Sequence, residues 1–322
     1  MLRIGIIGAG YMAEVHIDAF RKAGACEIVG VTGAKPSSLR KFAKKHGIKA
    51  CDAPEELFKK VDAAVICLPS FIHEEYTVRA ARHGLHVLCE KPIALDEKAA
   101  ENMINACNNA GVVFMVAHCL RFWPEYRFLE KTLNEGRHGA LLSLHCERAA
   151  SRPGWFSRGW ADDDSRSGGV AVDLHIHDAD MILKLLGEPK RVSARRVEKG
   201  DTEFIAAEYF YPKGLVARAE AGWLLRDGYP FHMAFRAVFE KCVVEYDSRV
   251  SPTLTLYREG ENAHSPKLPD ADGYVEQAKY FVRCAAKREK LDLATGESAL
   301  KALKMVLREK KSTEKKSRRK KK

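Results

Sequence analysis

Near its start the chain reads Ile6-Ile7-Gly8-Ala9-Gly10-Tyr11-Met12-Ala13, an apolar β-type run that breaks at two spaced glycines and continues as a helical pattern. The run fits G-x-G-x-x-G/A, with Ala13 in the third place. Gly8 permits a tight turn, Gly10 lets backbone approach a pyrophosphate, and Ala13 lets helix and strand pack closely. A pyrophosphate there would meet the free N–H groups and the positive dipole end of the helix. A glycine pattern alone is a weak signal, but the flanking strand and helix make dinucleotide binding the reading here. The candidate cofactor contacts are Gly8, Gly10, Tyr11 and Met12. The bland alternative is a structural strand-to-helix turn.

Past this loop, short β-branched runs alternate with helical patterns, the signature of a parallel sheet with crossover helices. The spacing predicts strands over residues 3–7, 27–32, 63–67, 86–89 and 112–117. Helices are predicted over 12–22, 37–46, 54–60, 74–83 and 96–110. Several of the strands are apolar on consecutive residues, which suits a sheet covered on both faces. An α/β Rossmann unit over residues 1–119 is the expectation.

From 120 to 308 the texture changes. Helices are predicted over 124–134, ended by Gly136, and over 172–186, stopped by Gly187 and Pro189. Period-two runs over 203–211, 215–223, 231–239 and 253–257 follow, with turns such as Tyr211-Pro212-Lys213-Gly214. They predict an α+β domain with a large, mostly antiparallel open sheet. One broad face of such a sheet needs cover, and a homo-oligomer (dimer or tetramer) is expected unless helices supply it. A last helix is predicted over 297–308.

Length supports two domains, since 322 residues exceed a comfortable single core. The formal charge of +11 is misleading, because residues 309–322 hold nine Lys/Arg against two Glu. That stretch is predicted to be a disordered, solvated basic tail. The remaining body is not strongly basic, so no specific nucleic-acid partner is expected; weak, salt-sensitive attraction of the tail to polyanions is the alternative. No apolar run approaches the roughly 20 residues that span a bilayer. The first residues read as a strand rather than a signal peptide. Nine scattered cysteines, without a C-x-x-C pair, suggest neither a disulfide framework nor a thiolate zinc site and favour a cytoplasmic setting.

The end of the second strand bears on the ribose. An NAD-selective site usually carries Asp or Glu there. This chain has Val31-Thr32-Gly33-Ala34-Lys35-Pro36-Ser37-Ser38, with no acid. Lys35 and Arg40, with the hydroxyls of Thr32, Ser37 and Ser38, suit a 2′-phosphate, so NADP is favoured over NAD. Alternatively, the two cations are merely solvated.

Four further motifs follow in order: Leu68-Pro69-Ser70-Phe71-Ile72-His73, Glu90-Lys91-Pro92, Gly168-Gly169 and Asp173-Leu174-His175-Ile176-His177. With the glycine loop they resemble the Gfo/Idh/MocA oxidoreductases, the glucose–fructose oxidoreductase and inositol dehydrogenase relatives, over nearly the whole chain short of the tail. Two details depart: the family often has Thr-Pro-Asn at Leu68-Pro69-Ser70, and its frequent ribose acid aligns with Gly33. The resemblance implies a carbohydrate or polyol substrate and a reaction centre of Lys91, Asp173 and His177. It also implies that Leu68, Pro69, His73 and Glu90 face the cofactor.

The residues make chemical sense by themselves. Lys91 follows the fifth strand, at the edge where open α/β sheets bind ligands, and an ammonium there favours negative charge on a reacting oxygen. Asp173 and His177, four apart in a helical segment, share a face. Histidine, with a solution pKa of about 6.5, exchanges protons near neutrality. Alone, the lysine reads as a surface charge and the Asp/His pair as an ordinary helix-face interaction. Asp173, His175 and His177 do not suit a metal, since helical geometry splays them.

Arg121, Trp123 and Trp160 are weaker substrate candidates, as are Trp155 and Arg158; simple packing explains them nearly as well. Two rival functions remain: an enzyme that oxidises a sugar transiently to cleave a glycosidic bond, and a non-enzymatic NAD(P)-sensing regulator, which has no need of Lys91 and His177.

Overall fold

The computed structural model describes residues 1–33, 35–152, 159–160, 163–199 and 202–319, with side chains to Thr313. Two compact units emerge, one of Met1–Trp123 with Ala271–Leu300 and one of Pro124–Asp270 with Lys301–Lys322. The boundaries therefore differ from 1–119 and 120–308, because the first unit recruits a distant segment.

In the first unit the strands are β1 Leu2–Ile7, β2 Cys26–Thr32, β3 Lys49–Ala50, β4 Ala63–Ile66, β5 His86–Cys89 and β6 Phe114–Val116. They pair in parallel in the order β3-β2-β1-β4-β5-β6. Helices α1 Tyr11–Ala23, α2 Pro36–His46, α3 Pro54–Phe58, α4 His73–Arg82 and α5 Glu97–Asn109 connect them. Local chemistry sets the ends. Pro36 opens α2, and Gly47 closes it in the left-handed region with its N–H on Ala43 and Lys44 carbonyls. Asp96 caps α5 by accepting from the Ala99 N–H at 2.9 Å. Burial of Ile4, Ile6, Val65 and Leu88 accounts for the unbroken apolar runs. The recruited piece is a helix over Gly273–Ala285, which packs on α1; Phe281 meets Phe20 edge-on, with ring centroids 6.1 Å apart.

The second unit holds α6 Pro124–Glu135, β7 Leu141–Ser151, α7 Asp164–Ser167, a π-helical turn over Ala171–His175 and α8 Ile176–Leu186. Then come β8 Arg191–Lys199, β9 Thr202–Phe210, β10 Val216–Leu225, β11 His232–Phe239, β12 Cys242–Asp247 and β13 Leu254–Arg258. The sheet order is β13-β12-β11-β7-β10-β9-β8, antiparallel except where β7 meets β10. The expected open, mostly antiparallel sheet is present. Its buried face carries Ile205, Ala207, Tyr209, Ala217, Ala219 and Ala221. The small alanines of β10 admit the π turn and α8 against the sheet.

Two expectations are corrected. The 172–186 helix begins as a π turn, and its regular α part starts only at Ile176. The stretch from Glu309, expected to be disordered, is helical through Arg319, the end of a last helix that begins at Gly296. Glu309 is wholly buried, so a tertiary contact overrides the solvated character of its neighbours.

Candidate functional site

In the first unit, three neighbouring strands deliver the motif residues to the carboxyl edge of the sheet: β1 leads into Gly8, β4 into Leu68-Pro69, and β5 into Glu90-Lys91. The edge is tightly laced. The Gly8 N–H donates to Thr32 O at 2.7 Å and the Cys67 N–H to Ile7 O at 2.8 Å. Gly8 has φ +118°, and a Cβ there would lie 2.4 Å from Cys67 O, so this turn requires glycine. Gly10 is different, because nothing lies within 4 Å of where its Cβ would be. It precedes α1 without a side-chain cap, and an open glycine before uncapped N–H groups fits a pyrophosphate. Tyr11 beside it is 72% exposed, and Met12 is half-buried.

At the end of β2, Lys35, Ser37, Ser38 and Arg40 are exposed around the start of α2. Thr32 is fully buried, and its hydroxyl finds no protein partner among the described residues. Gly33 has φ +87°, and a Cβ would come within 3.2 Å of Gly8 N. A carboxylate-bearing residue at 33 would therefore be strained.

The Glu-Lys-Pro motif is held from beneath. Glu90, 6% exposed, faces His16 of α1 at 2.6 Å between Oε1 and Nε2, while its Oε2 accepts the Lys91 N–H at 3.2 Å. Burial pushes the Glu90 carboxyl up, but the hydrogen bond and charge of His16, with Lys91 and His73, outweigh it and leave it below its ordinary value. Sequence reasoning missed His16. On an amphipathic helix it reads as one more inward position; the only signal was a histidine six residues after Gly10.

His73, expected to face the cofactor, is 1% exposed. Its Nδ1 lies 2.9 Å from Pro92 O and its Nε2 2.8 Å from Leu68 O. Burial lowers its pKa, and a neutral imidazole carries one N–H, so at most one of these carbonyls accepts at a time. His73 thus stands between the Leu68 carbonyl and that of Pro92, the residue after Lys91, and donates to one of them at a time. Leu68, Pro69 and Lys91 are half-buried.

Of the weaker candidates here, Arg121 is 6% exposed. Trp123 packs on Gly273, where an added Cβ would lie 2.1 Å from the ring, and meets Tyr274 edge-on with centroids 5.6 Å apart. Packing accounts for Trp123.

In the second unit the site is read from burial. From Ser167 to Ile182 every residue is buried except Asp173 and His177, which are half-buried. Gly168, at φ +82°, leads into this segment; a Cβ there would strike Val172 at 2.5 Å. The flanking side chains point inward to partners. Asp178 receives Arg148 Nε at 2.8 Å and Nη2 at 3.1 Å, with both side chains at most 3% exposed. His175 is paired to Glu309. Trp160 is half-buried, whereas Trp155 and Arg158 lie outside the described residues. Among the described residues no group of three or more His, Cys, Asp or Glu could hold a metal ion, and no helix is long and apolar enough to cross a membrane.

Comparison with known proteins matches this architecture unit by unit. Residues 2–118 match the Gfo/Idh/MocA model described as an oxidoreductase family with an NAD-binding Rossmann fold. Residues 126–245 match the Gfo/Idh/MocA C-terminal domain. An inositol 2-dehydrogenase of Rhizobium meliloti is 33% identical over 197 residues, covering 60% of this chain and 58% of that protein. A 2,7-anhydro-N-acetylneuraminate hydratase of Escherichia coli is 37% identical over 134 residues, covering 40% of this chain and 35% of that one. The chain thus matches between about a third and three-fifths of the length of these curated relatives. The solved UDP-N-acetylglucosamine 3-dehydrogenase of Acidithiobacillus ferrooxidans shares the fold, with a TM-score of 0.84 at 23% identity over 97% of this chain and 98% of that one. The chain belongs to the Gfo/Idh/MocA oxidoreductase family.

Proposed function

We propose that this protein is an NAD(P)-dependent dehydrogenase or reductase acting on a CH–OH group or its carbonyl counterpart in a sugar, polyol or related small molecule. The observation that carries the reading is the selective exposure of Asp173 and His177 in an otherwise buried segment. A half-buried histidine four residues from a half-buried carboxylate, within a segment otherwise buried, suits proton exchange with a ligand.

Bound at the glycine loop, a nicotinamide cofactor would supply hydride-transfer chemistry. The chain's own residues do the rest. Gly10 and the start of α1 would hold the cofactor's pyrophosphate. Lys91 donates a hydrogen bond to the substrate oxygen and stabilises charge developing there. His177 takes the hydroxyl proton in oxidation and returns it in reduction, while Asp173 orients the group. NADP is the proposed preference, supported by exposed Lys35, Ser37 and Arg40 and by the strain an acid would meet at Gly33. A cytoplasmic homo-oligomer assembled on the open sheet face is proposed with it.

The test is a panel of aldoses, ketoses, polyols and anhydrosugars, assayed with NADP and NAD in both directions. Net change in NAD(P)H is expected with at least one class. The hydratase among the relatives favours a second reading, in which product forms with no net cofactor change; that outcome would replace the first. Binding of cofactor with no product by either readout would defeat both.

A further inference from the structure

The last helix makes specific contacts with the segment that presents Asp173 and His177. Glu309 Oε2 lies 2.9 Å from His175 Nε2, with both side chains wholly buried. The same nitrogen lies 3.1 Å from the Tyr209 hydroxyl of β9. One residue on, Lys310 Nζ donates to Gly168 O at 2.7 Å, the carbonyl of the left-handed glycine that turns the chain into the π segment. Two residues further, Ser312 Oγ accepts from the Ala194 N–H at 3.2 Å. Successive contacts of one helix thus engage both ends of the Gly168–His175 stretch.

A buried ion pair is a poor way to stabilise a fold, because desolvation consumes much of its attraction and apolar residues pack as well. It is a good way to fix one geometry. The stretch needs fixing, since a π turn is an uncommon, single-turn form, frequent at functional sites. Here it must keep residues 174–176 buried and Asp173 and His177 half-buried. The groups acting on His175 are Glu309, Asp178 of α8 and Arg148 of β7, with Tyr209 beside it. Burial lowers the histidine's pKa, but Glu309 and Asp178 together outweigh it and leave the value raised.

We infer that Glu309 is a positioning residue: through His175 it sets the orientation of His177 and Asp173, and the last helix is part of the site's support. This rests on the proposal that His177 carries the proton transfer.

The experiment reads His177 directly. Imidazole ¹⁵N NMR is recorded across pH on the full-length protein and on Glu309→Gln, with His177→Asn giving the assignment. The expected result is a displaced His177 signal and a titration midpoint moved by about 0.3 unit or more in Glu309→Gln. NAD(P)H affinity, read by fluorescence titration, stays within about twofold. For any panel compound that turns over, kcat falls about tenfold with little change in cofactor KM, and the neutral pair His175→Gln/Glu309→Gln recovers part of it.

An unchanged His177 spectrum and kcat in folded Glu309→Gln would overturn the inference. If that variant does not fold, Lys310→Met carries the test, because its amine is only part-buried; a displaced His177 signal supports the inference and an unaltered one overturns it. Failure here is distinct from failure of the role proposed for His177, which instead shows as retained turnover in His177→Asn.

Discussion

Nε2 of His16 lies 2.6 Å from Oε1 of Glu90, with both side chains almost wholly out of solvent. The pair joins α1, which begins at the glycine loop, to the strand end that presents Lys91. Replacing His16 by Leu leaves a buried carboxylate without this partner, which costs about 1.5–3 kcal/mol for a hydrogen bond to a charged group. A lowered Tm is expected in His16→Leu, with NAD(P)H affinity also reduced; His16→Gln, which retains an N–H donor, should recover part of both. Equal Tm for all three proteins would show that the contact carries no stability.

The two glycines of the loop should separate folding from binding. Gly8→Ala sets a Cβ against Cys67 O in a left-handed conformation, costing about 1–3 kcal/mol in backbone strain alone. Gly10→Ala meets no atom of the protein within 4 Å. It should therefore keep the parental Tm and lose cofactor affinity by tenfold or more. Calorimetry and fluorescence titration read the two effects. A Gly10→Ala variant that binds NAD(P)H normally would move the pyrophosphate elsewhere.

Cofactor choice should follow the start of α2. Lys35→Glu is expected to raise the Kd for NADPH at least tenfold and leave the Kd for NADH within about threefold. Equal effects on both would mean that Lys35 is only a solvated cation.

Acid stability should report Glu90. Its folded-state pKa lies below the ordinary 4.5, so its contribution is full above that value and is lost as pH falls through the folded pKa. The Tm gap between the parent and Glu90→Gln should narrow on acidification below about 4.5. The sign reverses at His175, whose folded pKa is raised above 6.5. There the gap between the parent and Glu309→Gln should be widest below that value and narrow as pH rises through the folded pKa.

Much of this architecture was readable from local pattern. The glycine loop and the parallel strands announce themselves because turn chemistry and unbroken apolar runs are local signals. Strands such as Leu141–Ser151 and Arg191–Lys199 were not anticipated, because Arg148 and Arg196 stand at inward positions where an alternating pattern calls for apolar residues; Cys242–Asp247 was missed although its alternation is regular. Arg148 is in fact buried, its charge answered by Asp178 thirty residues away. The Gly273–Ala285 helix was missed although Asp272 caps it, since nothing local says that it returns to α1. His16 and Glu309 share that difficulty. A lone buried histidine or acid is legible only with its partner, and those partners lie 74 and 134 residues away in sequence.

The central claim is that Lys91 and His177 carry the chemistry while the glycine loop carries the cofactor. The most direct measurement compares Lys91→Ala and His177→Ala with the parent, reading kcat on the panel substrate and NAD(P)H affinity in the same preparations. Loss of kcat by about 10²–10⁴-fold in each variant, with parental Tm and cofactor affinity within about threefold, is the predicted result. Turnover near the parental rate in either folded variant would contradict the account.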